Sequence, residues 1–255
     1  MHFSIFNPTL LTGVLLITAA SSAPSSILIP PSSITILGGV IPSNTLFPLV
    51  DTTPLIQFYS ITNYAWTIRS SMPQGPNHAN ATAVNGKIYV LSGLPGIGEA
   101  GEGRRVWGAV ADSWVYDPIT GLWETIPGAP AGKERGSGAA VVSIFNTDIW
   151  TWLSVPEAAK YIPEARDHAG AAVIDAKMYT LGGRNSGQEN ARDTVFVLDL
   201  CDLEAVWKTS AAHMPTPRSG VAAGPIEKKV YVFGDEGNVQ SETGVLNQVE
   251  VYDTT

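Results

Sequence analysis

After residue 33 apolar and polar positions alternate with a period of two, in short runs closed by Gly, Asn or Pro, which predicts strands. The clearest run is Lys87-Ile88-Tyr89-Val90-Leu91-Ser92-Gly93, preceded by His78-Ala79. It returns 90 residues later as His168-Ala169 and Lys177-Met178-Tyr179-Thr180-Leu181-Gly182-Gly183. A third copy lies 52 residues further on, Gly220 and then Lys229-Val230-Tyr231-Val232-Phe233-Gly234-Asp235. A worn copy precedes them all, Ile34-Thr35-Ile36-Leu37-Gly38-Gly39. Recurrence at such spacing marks a repeat architecture.

A second landmark follows each copy: Phe58-Tyr59-Ser60, Val115-Tyr116-Asp117, Val197-Leu198-Asp199 and Val251-Tyr252-Asp253. A tryptophan comes next, seven residues on for Tyr59 to Trp66 and for Tyr116 to Trp123, nine for Leu198 to Trp207. Pro73, Pro130 and Pro215 end their units. Each unit therefore predicts four short strands. The first is small and apolar, as in 171–174, and the second is the Lys-apolar-Tyr run. The third ends in Tyr-Asp, and the fourth carries Trp. Gly after the second strand allows backbone angles and a close approach that a Cβ would block. No segment has a sustained helical period, so the predicted fold class is all-β.

The units run over about 33–73, 78–130, 135–156, 166–215 and 218–255, and two of the five, 78–130 and 166–215, read as whole. His78 to Trp123 spans 45 residues but Arg135 to Trp152 only 17, so the second strand and its loop are expected to be missing from 135–156. The first unit shows no recognisable first strand, and the last stops after its third.

A four-stranded unit of about 45–55 residues with a Gly doublet, Tyr-Asp and Trp resembles the kelch repeat. The likeness is carried by RDHAGAAVIDAKMYTLGG at 166–183, DSWVYDPITGLW at 112–123 and DTVFVLDL at 193–200. The chain is similar in particular to secreted fungal kelch proteins related to the propeller domain of galactose oxidase. The resemblance implies a β-propeller of four-stranded blades around a central channel, here incomplete. A truncated gene model or aberrant splice product is the expected source of the gaps. The copper chemistry of galactose oxidase needs a Cys cross-linked to Tyr, with further Tyr and His ligands. Cys201 in DLCDLEAVW has no matching constellation and reads as an isolated thiol.

Leu10 to Ala20 (LLTGVLLITAA), followed by Ser21, Ser22 and Ala23, reads as the apolar core of a secretory leader over 1–23, although no Lys or Arg precedes it. It is too short to span a bilayer, so a secreted chain without a membrane span is expected. The sequon Asn80-Ala81-Thr82 falls on a predicted strand. A net charge of −8 argues against a nucleic-acid clamp, and a single Cys excludes an internal disulfide framework. Only 15% of residues are charged, partly because none of residues 1–50 is.

Candidate chemistry gathers in two sets of loop residues. Just before the first strands stand His78, Arg135, Arg166, Asp167, His168 and Arg218. Arg forks there suit a carboxylate or phosphate. The competing reading is that Arg and Asp bridge adjacent blades while His caps a strand. Between the second and third strands lie Arg104, Arg105 and Trp107; Arg184, Asn185, Gln188, Glu189, Asn190 and Arg192; and Asp235, Glu236, Asn238 and Glu242. These suit a sugar or a partner loop. The four histidines lack zinc spacing, Gly96 to Gly101 mimics a dinucleotide fingerprint without the helix it needs, and no catalytic residue or cofactor is predicted. The expected function is a secreted binding scaffold for carbohydrate or protein. The alternatives are a galactose-oxidase-like or sugar-epimerase-like enzyme and a non-functional truncated product.

Overall fold

The computed structural model describes residues 2–3, 17–18, 25–29, 33–38, 40–42, 50–60, 63–76, 78–94, 97–100, 104–134, 136, 138–235, 246 and 248–255. Apart from its residues 17–18, the apolar run Leu10–Ala20 lies outside them, as do Arg135, Glu236, Asn238 and Glu242. Two compact units result, Ser22–Gly136 and a second made of Met1–Ser21 with Ser137–Thr255. The two-residue strands β1 (His2–Phe3) and β2 (Ile17–Thr18) belong to the second.

The unit 22–136 holds two four-stranded antiparallel sheets. One has the order β3-β4-β7-β8 and comprises β3 (Ser25–Ile29), β4 (Ser33–Leu37), β7 (Ile56–Ser60) and β8 (Ala65–Ile68), with a hairpin of β5 (Val40–Pro42) and β6 (Val50–Thr52) between β4 and β7. The first blade thus has a first strand after all: β3 pairs with β4 from Ser25↔Leu37 to Ile29↔Ser33. Its Ser-Ser-Ile-Leu-Ile run lacks the small residues that mark first strands elsewhere. The other sheet, of order β14-β13-β10-β9, comprises β9 (Ala81–Val84), β10 (Lys87–Gly93), β13 (Val110–Asp117) and β14 (Leu122–Ile126). What the sequence suggests is an open loop contains a second hairpin, β11 (Ile97–Ala100) with β12 (Arg104–Trp107). Leu37, Ile56 and Phe58 of the first sheet pack on Ala81, Ile88, Val90, Trp114 and Tyr116 of the second.

In the second unit β15 (Gly138–Val141) pairs with β18 (Tyr161–Asp167) and not with β16 (Ser143–Asn146). β16 instead joins β17 (Thr151–Leu153) and the parallel β1. No second strand stands between β15 and β16, as their adjacency in sequence requires. A single helical turn, α1 (Glu157–Lys160), leads into β18. A sheet of order β2-β19-β20-β21-β22 follows, with β19 (Gly170–Ile174), β20 (Lys177–Leu181), β21 (Val195–Asp199) and β22 (Lys208–Thr209). The last sheet is β23 (Ala222–Ile226), β24 (Lys229–Phe233) and β25 (Glu250–Asp253). Period-two alternation gives the β19–β22 sheet two apolar faces. Ala171, Met178, Phe196 and Leu198 pack toward Val142, Ile144 and Ile162, whereas Ala172, Ile174, Tyr179 and Leu181 pack toward Val221, Ala223, Val230 and Val232.

The landmarks acquire physical roles. The seven-residue spacing places Tyr59 opposite Trp66, Tyr116 opposite Trp123 and Phe145 opposite Trp152, with ring centroids 4.9, 4.9 and 5.0 Å apart. The polar residue after the third strand is a turn acceptor: Asp117, Asn146, Asp199 and Asp253 each take the backbone N–H two residues on, at 2.8–3.0 Å. The Gly after the second strand makes room for the next blade. A Cβ on Gly182 (φ +59°) would sit 2.6 Å from the Arg218 carbonyl oxygen, and one on Gly38 (φ +64°) 2.1 Å from that of Pro76. The fold is all-β and built of kelch-type propeller blades, incomplete at 135–156.

Candidate functional site

The pre-strand candidates and the β20–β21 loop of the second unit form one network. Arg166, 3% exposed, is the penultimate residue of β18, four residues before β19 begins at Gly170. Its Nη1 donates to the Gly182 carbonyl at 2.8 Å, and its Nη2 donates to Glu164 at 2.7 Å and to Thr194 Oγ1 at 2.6 Å. The guanidinium lies over the Phe196 ring, 4.8 Å from its centroid. It thereby joins the end of the second strand to the start of the third across the mouth of the loop.

Arg218 repeats this position one blade later. It is 1% exposed, with Nη1 donating to the Gly234 and Gln248 carbonyls at 3.2 and 2.7 Å and Nη2 to Glu250 at 2.9 Å. Both arginines reach the carbonyl sixteen residues ahead, that of the glycine closing the second strand. Guanidinium forks suit this because they offer several donors in fixed geometry and remain charged when buried. The backbone bridge Arg192↔Arg218 and the Gly183 N–H bond to the Arg218 carbonyl (2.8 Å) then link the two blades.

Glu164 is the centre of the network and is not singled out by any sequence motif. Its Oε1 accepts from Arg192 Nε (3.1 Å) and Asn185 Nδ2 (3.2 Å), while Oε2 accepts from Arg166. Burial raises the Glu164 pKa, but hydrogen bonds from Arg166, Asn185 and Arg192 outweigh it and hold the carboxyl down at about 2. Beside it Arg184 Nε donates to Asp167 Oδ1 at 2.9 Å, and its Nη2 lies 3.3 Å from His168 Nδ1. His168 has φ +55°, at the place held one blade later by Gly220 at +66°, and its carbonyl accepts the Gly220 N–H at 2.9 Å.

Between these anchors runs Arg184–Arg192. Gly187 (φ +98°) leads into the turn Gln188–Asn190, and Asn190 Nδ2 donates to the Ser186 carbonyl at 2.6 Å. Asn185, Ser186 and Glu189 are exposed, whereas Arg184 and Asn190 are half-buried. So Arg166, Asp167, His168, Arg184 and Arg218 brace the blades, Asn185 ties the exposed turn to Glu164, and Ser186 and Glu189 stand exposed.

The remaining candidates are not brought into this network. Asp235 is buried and accepts the Ser219 N–H at 3.0 Å. His78 is half-buried ahead of β9 in the other unit. Arg104, Arg105 and Trp107 lie on β12, of which the backbone alone is described. In the sequon, Asn80 and Thr82 are both buried. Cys201 is exposed at the turn after β21. Among the described residues no three His, Cys, Asp or Glu side chains converge as metal ligands, and no helix is long and apolar enough to cross a membrane.

A scan against protein-family models finds no match. Curated proteins do match. The chain is similar to Kelch-like protein terF of Aspergillus terreus, 33% identical over 245 residues, covering 86% of this chain and 50% of that protein. It is similar to the Rab9 effector protein with kelch motifs of Gallus gallus, 25% identical over 164 residues, covering 59% of this chain and 44% of that protein. It is also similar to Kelch-like ECH-associated protein 1B of Danio rerio, 28% identical over 90 residues, covering 35% of this chain and 14% of that protein. The chain spans about half the length, or less, of these relatives. With its repeated Gly-closed second strands, Tyr–Trp strand pairs and post-strand Asx turns, the chain belongs to the kelch-repeat proteins.

Proposed function

We propose that this chain is a binding scaffold that recognises another protein through the β20–β21 loop. The observation behind this reading is the division of labour at Arg184–Arg192. Ion pairs to Glu164 and Asp167 and the Asn185–Glu164 hydrogen bond hold the loop, while Ser186 and Glu189 stand exposed to solvent. A loop braced in this way loses little conformational entropy on binding. Two of the relatives are named for protein partners, Rab9 and ECH, which favours a protein over a sugar. Secretion is part of the same proposal and rests on the apolar run Leu10–Ala20.

The test is a paired array experiment, with the purified chain probed against immobilised proteins and against a glycan array. A protein hit lost in Ser186→Ala/Glu189→Ala, with folding intact, supports the reading. Glycan retention with no protein hit replaces it by the carbohydrate reading. Stoichiometric copper with peroxide release from a sugar alcohol would establish the oxidase-like alternative. Chain recovered from culture medium and beginning at Ser21 or Pro24 would support secretion.

A further inference from the structure

β8, β14 and β22 each stand last in the order of their sheet, so each has an outer edge set by its own sheet and not by what precedes or follows it. Such an edge offers backbone N–H and C=O groups to any other strand, and it is ordinarily guarded by a charge or kept short. β14 carries Glu124 at its centre, β22 is two residues long and begins with Lys208, and β17 is three residues long. β8 has neither safeguard. No charged residue and no proline occurs from Ile61 to Ile68, and Ala65, Trp66, Thr67 and Ile68 are all exposed. Among the described residues no strand pairs with the outer side of β8. The ladder shows which groups are turned outward. The Arg69 N–H donates to the Ile56 carbonyl at 3.1 Å, so odd-numbered residues bond to β7, while the N–H and C=O of Trp66 and Ile68 point away from it.

We infer that the β8 edge is a dimerisation site, where β8 of a second copy of this chain pairs antiparallel about a two-fold axis at Thr67. The register is what selects a second copy. Centred on Thr67, Trp66 lies opposite Ile68 of the second copy, and Ile68 opposite its Trp66. Each such pair exchanges both backbone hydrogen bonds, which satisfies every outward N–H and C=O of Trp66 and Ile68. Aromatic against β-branched and Thr against Thr are favourable cross-strand neighbours. Arg69, the one charged residue from Ile61 to Ser71, falls opposite Ala65 of the second copy and not opposite its own counterpart. The same operation centred on β14 would set Glu124 against Glu124, and like charges directly opposite repel. Closed two-fold pairs are also the commonest oligomers. The β8 edge belongs to the unit 22–136 and the β20–β21 loop to the other, so the inference does not rest on the loop's role.

Sedimentation velocity on the full chain over a range of concentrations tests the inference. The expected result is a discrete, concentration-dependent dimer that grows no further. Thr67→Lys and Thr67→Glu each set like charges together at the axis and should weaken association about 10-fold or more. An equimolar mixture of the two variants should restore the dimer. Thr67 is exposed, so both variants should fold, which circular dichroism checks. In the wild type the Trp66 and Ile68 amides should gain protection from hydrogen exchange as concentration rises, and Arg69 should be protected throughout. Monomer at all concentrations up to about 100 μM, well above the Kd of a specific interface, would overturn the inference. So would open-ended polymers, a dimer indifferent to both substitutions, or variants that stay apart when mixed.

Discussion

The β9–β14 sheet and the β19–β22 sheet are built from the same four strands, yet their loops are supported by different means. Both run Lys-apolar-Tyr in the second strand and both turn on an Asp after the third. At the position of Arg166 the earlier blade has Pro76, and at the position of Gly182 it has Ser92. There the tie across the loop mouth is made by small hydroxyls, Ser113 Oγ accepting from the Ser92 N–H at 3.3 Å and Ser92 Oγ donating to the Val110 carbonyl. Beyond that tie the loop is stiffened by the backbone ladder of β11 and β12. In the later blade the loop has only a single backbone bridge, Arg184↔Ala191, in place of that ladder and is held besides by guanidinium–carboxylate pairs. Strand repetition thus fixes the sheet, while loop support depends on one residue ahead of the first strand, and it changes from blade to blade.

The largest effect should come from removing the buried cation. Arg166→Ala leaves Glu164 short of a partner and opens a void over Phe196, and a loss of about 3–5 kcal/mol is expected in chemical denaturation. Pro76→Ala, its counterpart, should cost about 1–2 kcal/mol, through the entropy of the unfolded chain and the loss of its buried ring carbons. Equal losses at the two sites would erase the distinction. Next in size are the tryptophans. Trp207 is buried and its Nε1 donates to the Ala159 carbonyl at 2.9 Å, whereas Trp123 is half-buried with a 3.4 Å bond to the Ser70 carbonyl. Trp207→Phe should therefore cost about 1–3 kcal/mol and Trp123→Phe less, in the same measurement.

Acid should separate the blades as well. Glu164 has its pKa lowered from 4.5 to about 2, so its contribution is complete above pH 4.5 and fades as the pH falls toward 2. Wild-type stability should drop across that window, and Glu164→Gln should flatten this limb without altering the neutral-pH fold. The smallest expected change belongs to the turn acceptors: Asp117→Ala and Asp199→Ala should each cost about 1 kcal/mol, alike in the two sheets, by thermal melting.

Much of the fold was legible because strands and blades are periodic features. The Tyr116–Trp123 pair, the Gly182 approach and the absent second strand at 135–156 all follow from spacing. β3 was not legible, since Ser25–Ile29 lacks the landmarks of other first strands and follows an apolar leader-like run. Neither were α1 and β18, which have no copy elsewhere and exist because β15, lacking its usual neighbour, pairs with Tyr161–Asp167. At the site, residue types pointed to Arg166, Asp167, His168, Arg184 and Arg218 and left two jobs open, anion binding and bridging between blades. Glu164 was missed because its partners stand 2, 21 and 28 residues away and only folding brings them together.

The central claim is that the Arg166–Glu164 pair holds the β20–β21 loop as one rigid piece. Amide hydrogen exchange tests it most directly, at Arg184 and Arg192, whose N–H groups donate to the Asp167 and Gly183 carbonyls at 2.9 and 2.8 Å. Both amides should be protected in the wild type and lose that protection in Arg166→Met, with protection along β10 and β13 unchanged. Protection at Arg184 and Arg192 that survives the substitution would contradict the claim.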